Sequence, residues 1–442
     1  MFPLVAPPGQ RYLEDSAGQP FLIQGDAAWS LIADLTREEV TLYLEDRGAR
    51  GFNTILVSLI EARFARNAPA NAYGERPFRT RPFELLAVLD DLIPMVSFAD
   101  FSAPNDAYFA HADWVLREAK KRGFLVMLTP SYVGWNGGSQ GWYRAMSANG
   151  IDRLRQYGEY LGERYRDFDN IMWVHAGDYD PPNKDLVRVI ADGIRRFQPG
   201  ALQTAHGAPE TAISEYWRNE DWLTIGNVYT YGPVHSAVFD QYAADDQLPF
   251  FLIESGYESE HGITDRQLRM QAYQAVLGGA TGQVFGNNPI WHFEAPGLYP
   301  AAVTWQQALD SSGARSMTHL RALLTDLPWW LMLPDRSHSL LAVGQGGDDD
   351  RAVAALAADG SFALAYLPSA REIAIAMDGF AGRRVDARWF DPAEGTFATI
   401  AGSPFAATGQ RTFRPDSLEN GSGQDDWVLV LNAVPREPGP SQ

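Results

Sequence analysis

Between Phe21 and Trp291 the chain alternates short, almost wholly apolar runs with longer segments in which apolar residues recur at helical spacing. A run that is apolar at every position, rather than every second one, is the pattern of a parallel strand covered on both faces. Eight such strands are predicted, at Phe21 to Gly25, Phe52 to Ser58, Phe124 to Pro130, Asn170 to Ala176, Ala201 to His206, Trp222 to Val228, Phe250 to Glu254 and Gly282 to Gly286. Helix signals fall between them. Thr36-Arg-Glu-Glu39 is a capping-box pattern, Gly51 follows the end of that helix, and Gly123 follows Lys120-Lys-Arg122. Eight strand-helix units in succession predict an α/β fold, a (β/α)8 TIM barrel.

One connection is unusually long. Glu61 to Ala103 is irregular, rich in Arg and Pro, and carries the turn-like Asn71-Ala-Tyr-Gly-Glu75. In a barrel it would lie at the carboxyl rim, where long loops shape substrate pockets, although its arginines suit a solvated surface equally well. Near Pro334 the rhythm changes to short strands with turns such as Asp359-Gly360 and Glu394-Gly395. The strands are Ser339 to Val343, Ala352 to Ala357, Ser361 to Leu367, Glu372 to Met377, Val385 to Phe390, Thr396 to Ile400 and Trp427 to Leu431. This predicts a C-terminal all-β sandwich and a division into a catalytic domain, residues 1–333, and an accessory domain, residues 334–442. At 442 residues, with 45% hydrophobic and 21% charged positions, the chain has the length and composition for both.

Charge and cysteine content narrow the chemistry. A net charge of −19 sets the average field against nucleic acid and anionic lipid, so neither is an expected partner, and nothing in the pattern specifies an oligomer. There is no cysteine, which removes disulfides, thiolate metal sites and a thiol nucleophile. The start, Met1-Phe-Pro-Leu-Val-Ala-Pro-Pro-Gly-Gln-Arg11, has no basic leader before an apolar run, which gives a cytoplasmic expectation unless Met1 replaces a removed leader. No phosphate loop, nucleotide fingerprint or dense His/acid metal pattern occurs, and Asp348-Asp-Asp350 after Gly346-Gly347 reads as a solvated turn rather than a calcium loop. No metal and no cofactor are therefore expected.

What remains is a pair of acids. Asn170-Ile-Met-Trp-Val-His-Ala-Gly-Asp178 and Pro249-Phe-Phe-Leu-Ile-Glu254 each end a strand in a carboxylate. Either acid alone would serve to cap a helix or pair with arginine. Two on the rim of one barrel are what cleavage of an acetal needs, one carboxylic acid to protonate the leaving oxygen and one carboxylate at the anomeric carbon. Asp178 is the candidate acid/base and Glu254 the candidate nucleophile, with Glu258, Asp180 and Glu61 as competitors in the neighbouring loops. Asp26 and Trp29 past the first strand, His206 ending the fifth, Tyr229 and Tyr231 at the sixth, Glu258 after the seventh and Trp291 after the eighth are candidates to bind a sugar, by hydroxyl contacts or by stacking.

Gln24-Gly-Asp-Ala-Ala-Trp29, Leu35-Thr-Arg-Glu-Glu39, Arg50-Gly-Phe-Asn53, Asn71-Ala-Tyr-Gly-Glu-Arg-Pro77, Pro104-Asn-Asp-Ala-Tyr-Phe109, Trp173-Val-His-Ala-Gly-Asp178 and Glu254-Ser-Gly-Tyr-Glu258 together resemble the apiosidase-like glycoside hydrolases, family 140. Ala365-Tyr-Leu-Pro368, Ala387-Arg-Trp-Phe-Asp-Pro392 and Asp425-Asp-Trp-Val-Leu429 are similar to the collagen-binding-like β-domain that accompanies that barrel. The resemblance implies a barrel with the acid/base after strand four and the nucleophile after strand seven, the positions of Asp178 and Glu254. It implies a retaining glycosidase, exo-acting on a terminal sugar, with furanosides of apiose or arabinose type among the candidates. A pyranosidase or endo-glycanase on the same barrel and a carbohydrate-binding protein without activity stand as alternatives. The chain departs from the family where a Tyr-Gly-His-His-type segment is replaced by Phe285-Gly-Asn-Asn-Pro-Ile-Trp291, and at Tyr229-Thr-Tyr-Gly232, which lacks histidine. Asn287 and Asn288 are therefore expected to change the donors and acceptors around the sugar.

Overall fold

The computed structural model describes residues 1–80, 99–244 and 247–434. Eight parallel strands form one sheet: β1 (Ile23–Ala27), β2 (Thr54–Ser58), β3 (Leu125–Thr129), β4 (Ile171–Ala176), β5 (Leu202–His206), β6 (Gly226–Tyr229), β7 (Phe250–Glu254) and β8 (Gly282–Phe285). The pairing order is β6-β7-β8-β1-β2-β3-β4-β5, and every residue of these strands is buried. Two sets of apolar residues explain that. Leu56, Met127, Val174, Phe251 and Val284 fill the barrel interior, whereas Ile55, Val57, Val126, Leu128 and Trp173 pack outward against helices. Alternation by two thus survives inside runs that look uniformly apolar, because both faces are covered.

Between β5 and β6 a side chain helps to close the ring. Asn227 is buried and its Nδ2 donates to Ala205 O at 2.7 Å and to Thr204 Oγ1 at 2.8 Å, while Thr224 N donates to Gln203 O at 3.0 Å. Backbone acceptors on β5 that would otherwise be left unpaired are satisfied in this way.

The longer helices are α1 (Arg37–Ala49), α2 (Asp106–Lys121), α3 (Tyr143–Arg164), α4 (Asp185–Phe197), α5 (Val234–Ala243), α6 (Asp265–Leu277) and α7 (Ser312–Thr325), with only a short turn of helix, Ile213–Tyr216, between β5 and β6. The box at Thr36 forms in full: its hydroxyl accepts from Glu39 N and the Glu39 carboxylate accepts from Thr36 N. Gly51 and Gly123 have φ of +84° and +78°. Among the described residues no helix is long and apolar enough to cross a membrane. The connection expected to be irregular from Glu61 to Ala103 contains a two-stranded antiparallel pair, Phe78–Thr80 with Ala99–Pro104; its residues 81–98 lie outside the described residues.

Beyond α7 the chain is antiparallel. A seven-stranded sheet runs Met332–Pro334, Val353–Ala357, Phe362–Leu367, Trp427–Ala433, Arg384–Asp391 and Thr396–Thr399, with Phe405–Ala406 also on Arg384–Asp391. A three-stranded sheet of Leu341–Val343, Ile373–Ala376 and Gln410–Phe413 packs over it through Ile373, Ile375, Leu367, Trp389 and Leu429. Gln410–Phe413, with three exposed residues of four, carries no apolar alternation and escaped prediction.

The large sheet is buried on its other face as well. Val353, Leu364, Tyr366, Val428 and Val430 belong to the core that surrounds the barrel. Tyr366 stacks on Tyr273 of α6 with centroids 4.7 Å apart, and the buried Arg269 of α6 donates to Asp426 at 2.7 Å from both Nε and Nη2. Removing one partner of such a pair strands the other charge, so Arg269→Ala should cost about 3 to 5 kcal/mol. Arg269→Met with Asp426→Leu should recover most of that loss, a contrast measurable from denaturant midpoints and their m-values.

Candidate active site

Backbone distortion delivers both acids to the rim. At the end of β4, Ala176, Gly177 and Asp178 have φ of +63°, +130° and +52°. Gly177 is required here, since a Cβ on it would lie 2.2 Å from the ring of Tyr132. Left-handed conformations at Ala176 and Asp178 each cost on the order of 1 kcal/mol, the kind of strain retained where side-chain direction matters. At the end of β7 the ladder slips by one residue: Val228 pairs with Leu252, but Tyr229 pairs with Glu254. Ile253 points into the barrel, so plain alternation would turn Glu254 outward. The bulge turns it back toward the site.

Between the acids stands His206, the last residue of β5 and fully buried. Its Nε2 lies 2.9 Å from Glu254 Oε2, and its Nδ1 accepts from Asp178 N at 3.2 Å. An Nδ1 that accepts carries no proton, which places the imidazole hydrogen on Nε2, directed at Glu254. Tyr231 donates to Glu254 Oε1 at 3.1 Å and receives Tyr229 Oη at 3.1 Å. Tyr132 donates to Asp178 Oδ2 at 2.5 Å, while Asp178 Oδ1 is buried without a hydrogen-bond partner.

Burial pushes the Glu254 carboxyl above its ordinary pKa and the charge of Asp178 adds to this, against the lowering effect of His206 and Tyr231. For His206 burial works downward, but the hydrogen bond and charge of Glu254, with the charge of Asp178, outweigh it and the net shift is upward. Asp178, His206 and Glu254 each present one atom within 4.8 Å of the others. Nε2 of His206 is engaged by Glu254 and Nδ1 by the N–H of Asp178, so the trio is held together as a hydrogen-bonded set.

A cavity of about 1030 Å³ opens over this trio. Of the residues nominated from sequence, Asp178, Glu254, Trp29, Tyr229, Tyr231 and Trp291 line it, and His206 lies beneath Glu254. Trp29 is fixed by its Nε1 donating to Tyr257 Oη at 3.1 Å and packs edge-on to His206 at 5.5 Å.

Four nominations are corrected. Asp26 does not face the cavity: it is fully buried and accepts from Arg47 Nε at 2.5 Å and Tyr43 Oη at 2.6 Å, both on α1. Glu258 holds the start of α7, accepting from Asn287 Nδ2 at 2.7 Å, Ser311 Oγ at 2.6 Å and Gly313 N at 2.9 Å. Asn287 is thereby spent on Glu258, and Asn288 bonds His292 Nε2 at 2.8 Å and Pro300 O at 3.4 Å. The two asparagines thus lie in the wall behind the cavity, and the departure they represent does not touch its surface. The competitors are similarly occupied. Asp180 accepts from Ala208 N and Thr211 Oγ1, and Glu61 from the N–H groups of Ala62, Arg63 and Phe64.

A family model described as "Apiosidase-like, catalytic domain" matches residues 7–331. The chain belongs to the apiosidase-like family. A second model, "Putative collagen-binding domain of a collagenase", matches residues 333–432. Among solved structures, a glycoside hydrolase family 5 protein from Bacteroides vulgatus is similar with a TM-score of 0.81 at 24% identity, over 98% of this chain and 94% of that one. A second, described as a glycoside hydrolase, gives 0.81 at 24% identity over 99% of both chains. A family 5 mannosidase from Rhizomucor miehei gives 0.50 at 13% identity, over 73% of this chain and 97% of that one. At these identities the likeness is one of fold. No curated protein matches. Family membership makes this protein a glycoside hydrolase and a carbohydrate its class of substrate.

Two residues of this apiosidase-like site escaped sequence reading. Tyr132 lies just beyond β3, where the rule that barrel chemistry gathers at strand carboxyl ends would have found it. Glu260, in the loop after β7, also lines the cavity, and nothing in the local sequence separates it from Glu258.

Proposed function

We propose that this apiosidase-like protein is a retaining glycosidase, exo-acting on a terminal furanosidic sugar of apiose or arabinose type, with Asp178 as acid/base and Glu254 as nucleophile. The observation that carries the reading is the approach of Asp178 and Glu254 at one rim, with a carboxylate oxygen of each within 4.8 Å. Retaining enzymes keep their two carboxyl groups about 5 to 5.5 Å apart, whereas inverting ones leave roughly 6.5 to 9.5 Å for a water. Glu254 attacks the anomeric carbon as the bond to the leaving oxygen breaks, and Asp178 gives that oxygen a proton. Water, deprotonated by Asp178, then displaces Glu254 with retention.

Donation from His206 and Tyr231 favours the ionised form of Glu254 and opposes, without cancelling, the upward push of its burial. The active form is the deprotonated one, so a raised pKa moves the acid limb of kcat/KM to higher pH than an ordinary glutamate would set. His206→Ala removes a group that lowers this pKa and should move the limb further in the same direction, as a pH-rate profile would record. An unmoved limb would show that His206 does not tune Glu254.

At about 1030 Å³ the cavity exceeds the roughly 300 Å³ at the lower end of ligand pockets, so sugar and leaving group fit together. That size also supports a second reading, an endo-acting glycanase with the same two acids. A screen of aryl apiosides, arabinofuranosides and common pyranosides, with polymers alongside, separates the readings. Hydrolysis of none of them would favour a carbohydrate-binding protein.

A further inference from the structure

The acids around this rim are nearly all committed to holding the fold. Glu61 is taken by three backbone N–H groups, Glu258 by the start of α7, and Glu210 by Thr230 Oγ1 with the N–H groups of Tyr231 and Gly232. Asp348 and Asp349 also line the cavity, but they are exposed on a turn of the β-domain. Glu260 lies in the loop after β7, lines the cavity half-buried, forms no ion pair among the described residues, and commits one oxygen, Oε1, which accepts from Trp291 Nε1 at 2.8 Å. We propose that Glu260 is a sugar-binding residue: its free oxygen takes a hydroxyl of the sugar being cleaved, while the indole it anchors presents a face to the apolar side of the same ring.

The surroundings fit that task. Trp291 also lines the cavity, and Phe64 and His292 lie T-shaped against it with centroids at 5.1 and 4.4 Å, so packing and the Glu260 hydrogen bond together fix the ring. The loop carrying Glu260 is bound to itself, Glu260 N to Tyr257 O at 3.2 Å and Ile263 N to Glu260 O at 2.9 Å. Preorganised contacts of this kind lose little on binding. Burial raises the Glu260 carboxyl to about 7, the Trp291 N–H opposing and the charge of Glu254 adding. A carboxyl near half-ionisation at neutral pH serves a hydroxyl as acceptor or donor. A uronate beside Glu260 would meet the charge of Glu254 and a half-ionised Glu260, so a neutral sugar is favoured there.

The assignment rests on the glycosidase reading, and the two are tested apart. Protein labelled with ¹⁵N in its tryptophans is titrated with D-apiose, L-arabinose, D-xylose, D-mannose and D-galacturonate. The Trp291 indole resonance is identified by its loss in Trp291→Phe. At least one neutral sugar should move that resonance saturably and galacturonate should not, and Glu260→Gln, which keeps an acceptor for the indole, should weaken the binding about tenfold or more. On the aryl glycoside that wild type cleaves, the same variant should raise KM while kcat changes less than about threefold. No movement of the resonance by any neutral sugar, or equal affinity in Glu260→Gln, overturns the assignment. Sugar binding through Glu260 together with full turnover in Glu254→Ala would overturn the nucleophile instead.

Discussion

Glu254→Ala is expected to lower kcat/KM on an aryl glycoside by about 10⁵-fold, the scale on which removal of a nucleophile acts. The fold should survive, because Glu254 stands at the end of β7, and its partners Tyr231 and His206 remain hydrogen-bonded to Tyr229 and to the backbone of Asp178. The vacated space faces the anomeric carbon, so azide should restore part of the turnover on a substrate with a good leaving group. Its product should be a glycosyl azide of inverted configuration, formed in one displacement without a glycosyl-enzyme. Full activity in Glu254→Ala would move the nucleophile elsewhere. Glu260, which lines the cavity with one carboxylate oxygen free, would then be tested ahead of Glu258, which the start of α7 already holds.

The strands of the barrel were legible because parallel strands buried on both faces must be apolar along their length, and the acids were legible because they interrupt that pattern at Asp178 and Glu254. Their directions were not. Whether Glu254 faces inward depends on a one-residue slip against Tyr229, and the aim of Asp178 depends on three left-handed residues, of which only Gly177 leaves a trace in sequence. Asp26 shows the converse. It lies on a strand at the correct rim, yet its side chain points outward to Arg47 and Tyr43, a choice of face that a five-residue apolar strand does not advertise. Asn287 misled for another reason: comparison of residue types at a rim position says nothing of whether the side chain reaches the cavity, and here it reaches Glu258. The edge strand Gln410–Phe413 carried no pattern because only Phe413 of its residues is buried.

For Asp178 the expected signature is dependence on the leaving group. Asp178→Ala removes the proton that an alkoxide needs in order to depart, so glycosides of poor leaving groups should lose about 10³-fold or more in kcat/KM. Those of acidic phenols, which leave without help, should be glycosylated at near wild-type rates. Hydrolysis of the glycosyl-enzyme also needs Asp178, now as base toward water, and should become rate-limiting for the good substrates, giving a burst followed by slow turnover. Azide, which needs no general base, should accelerate that slow phase and yield a glycosyl azide of retained configuration, since Glu254 has already inverted the centre once. The two alanine variants would thus give azides of opposite configuration. Tyr132 sharpens the assignment: it holds Asp178 by donating to Oδ2, so Tyr132→Phe leaves the acid in place and should cost far less than Asp178→Ala on poor leaving groups. Equal loss across leaving groups in Asp178→Ala, or an inverted azide from it, would remove Asp178 from the acid/base role and leave its carboxylate as a charge that serves His206 alone.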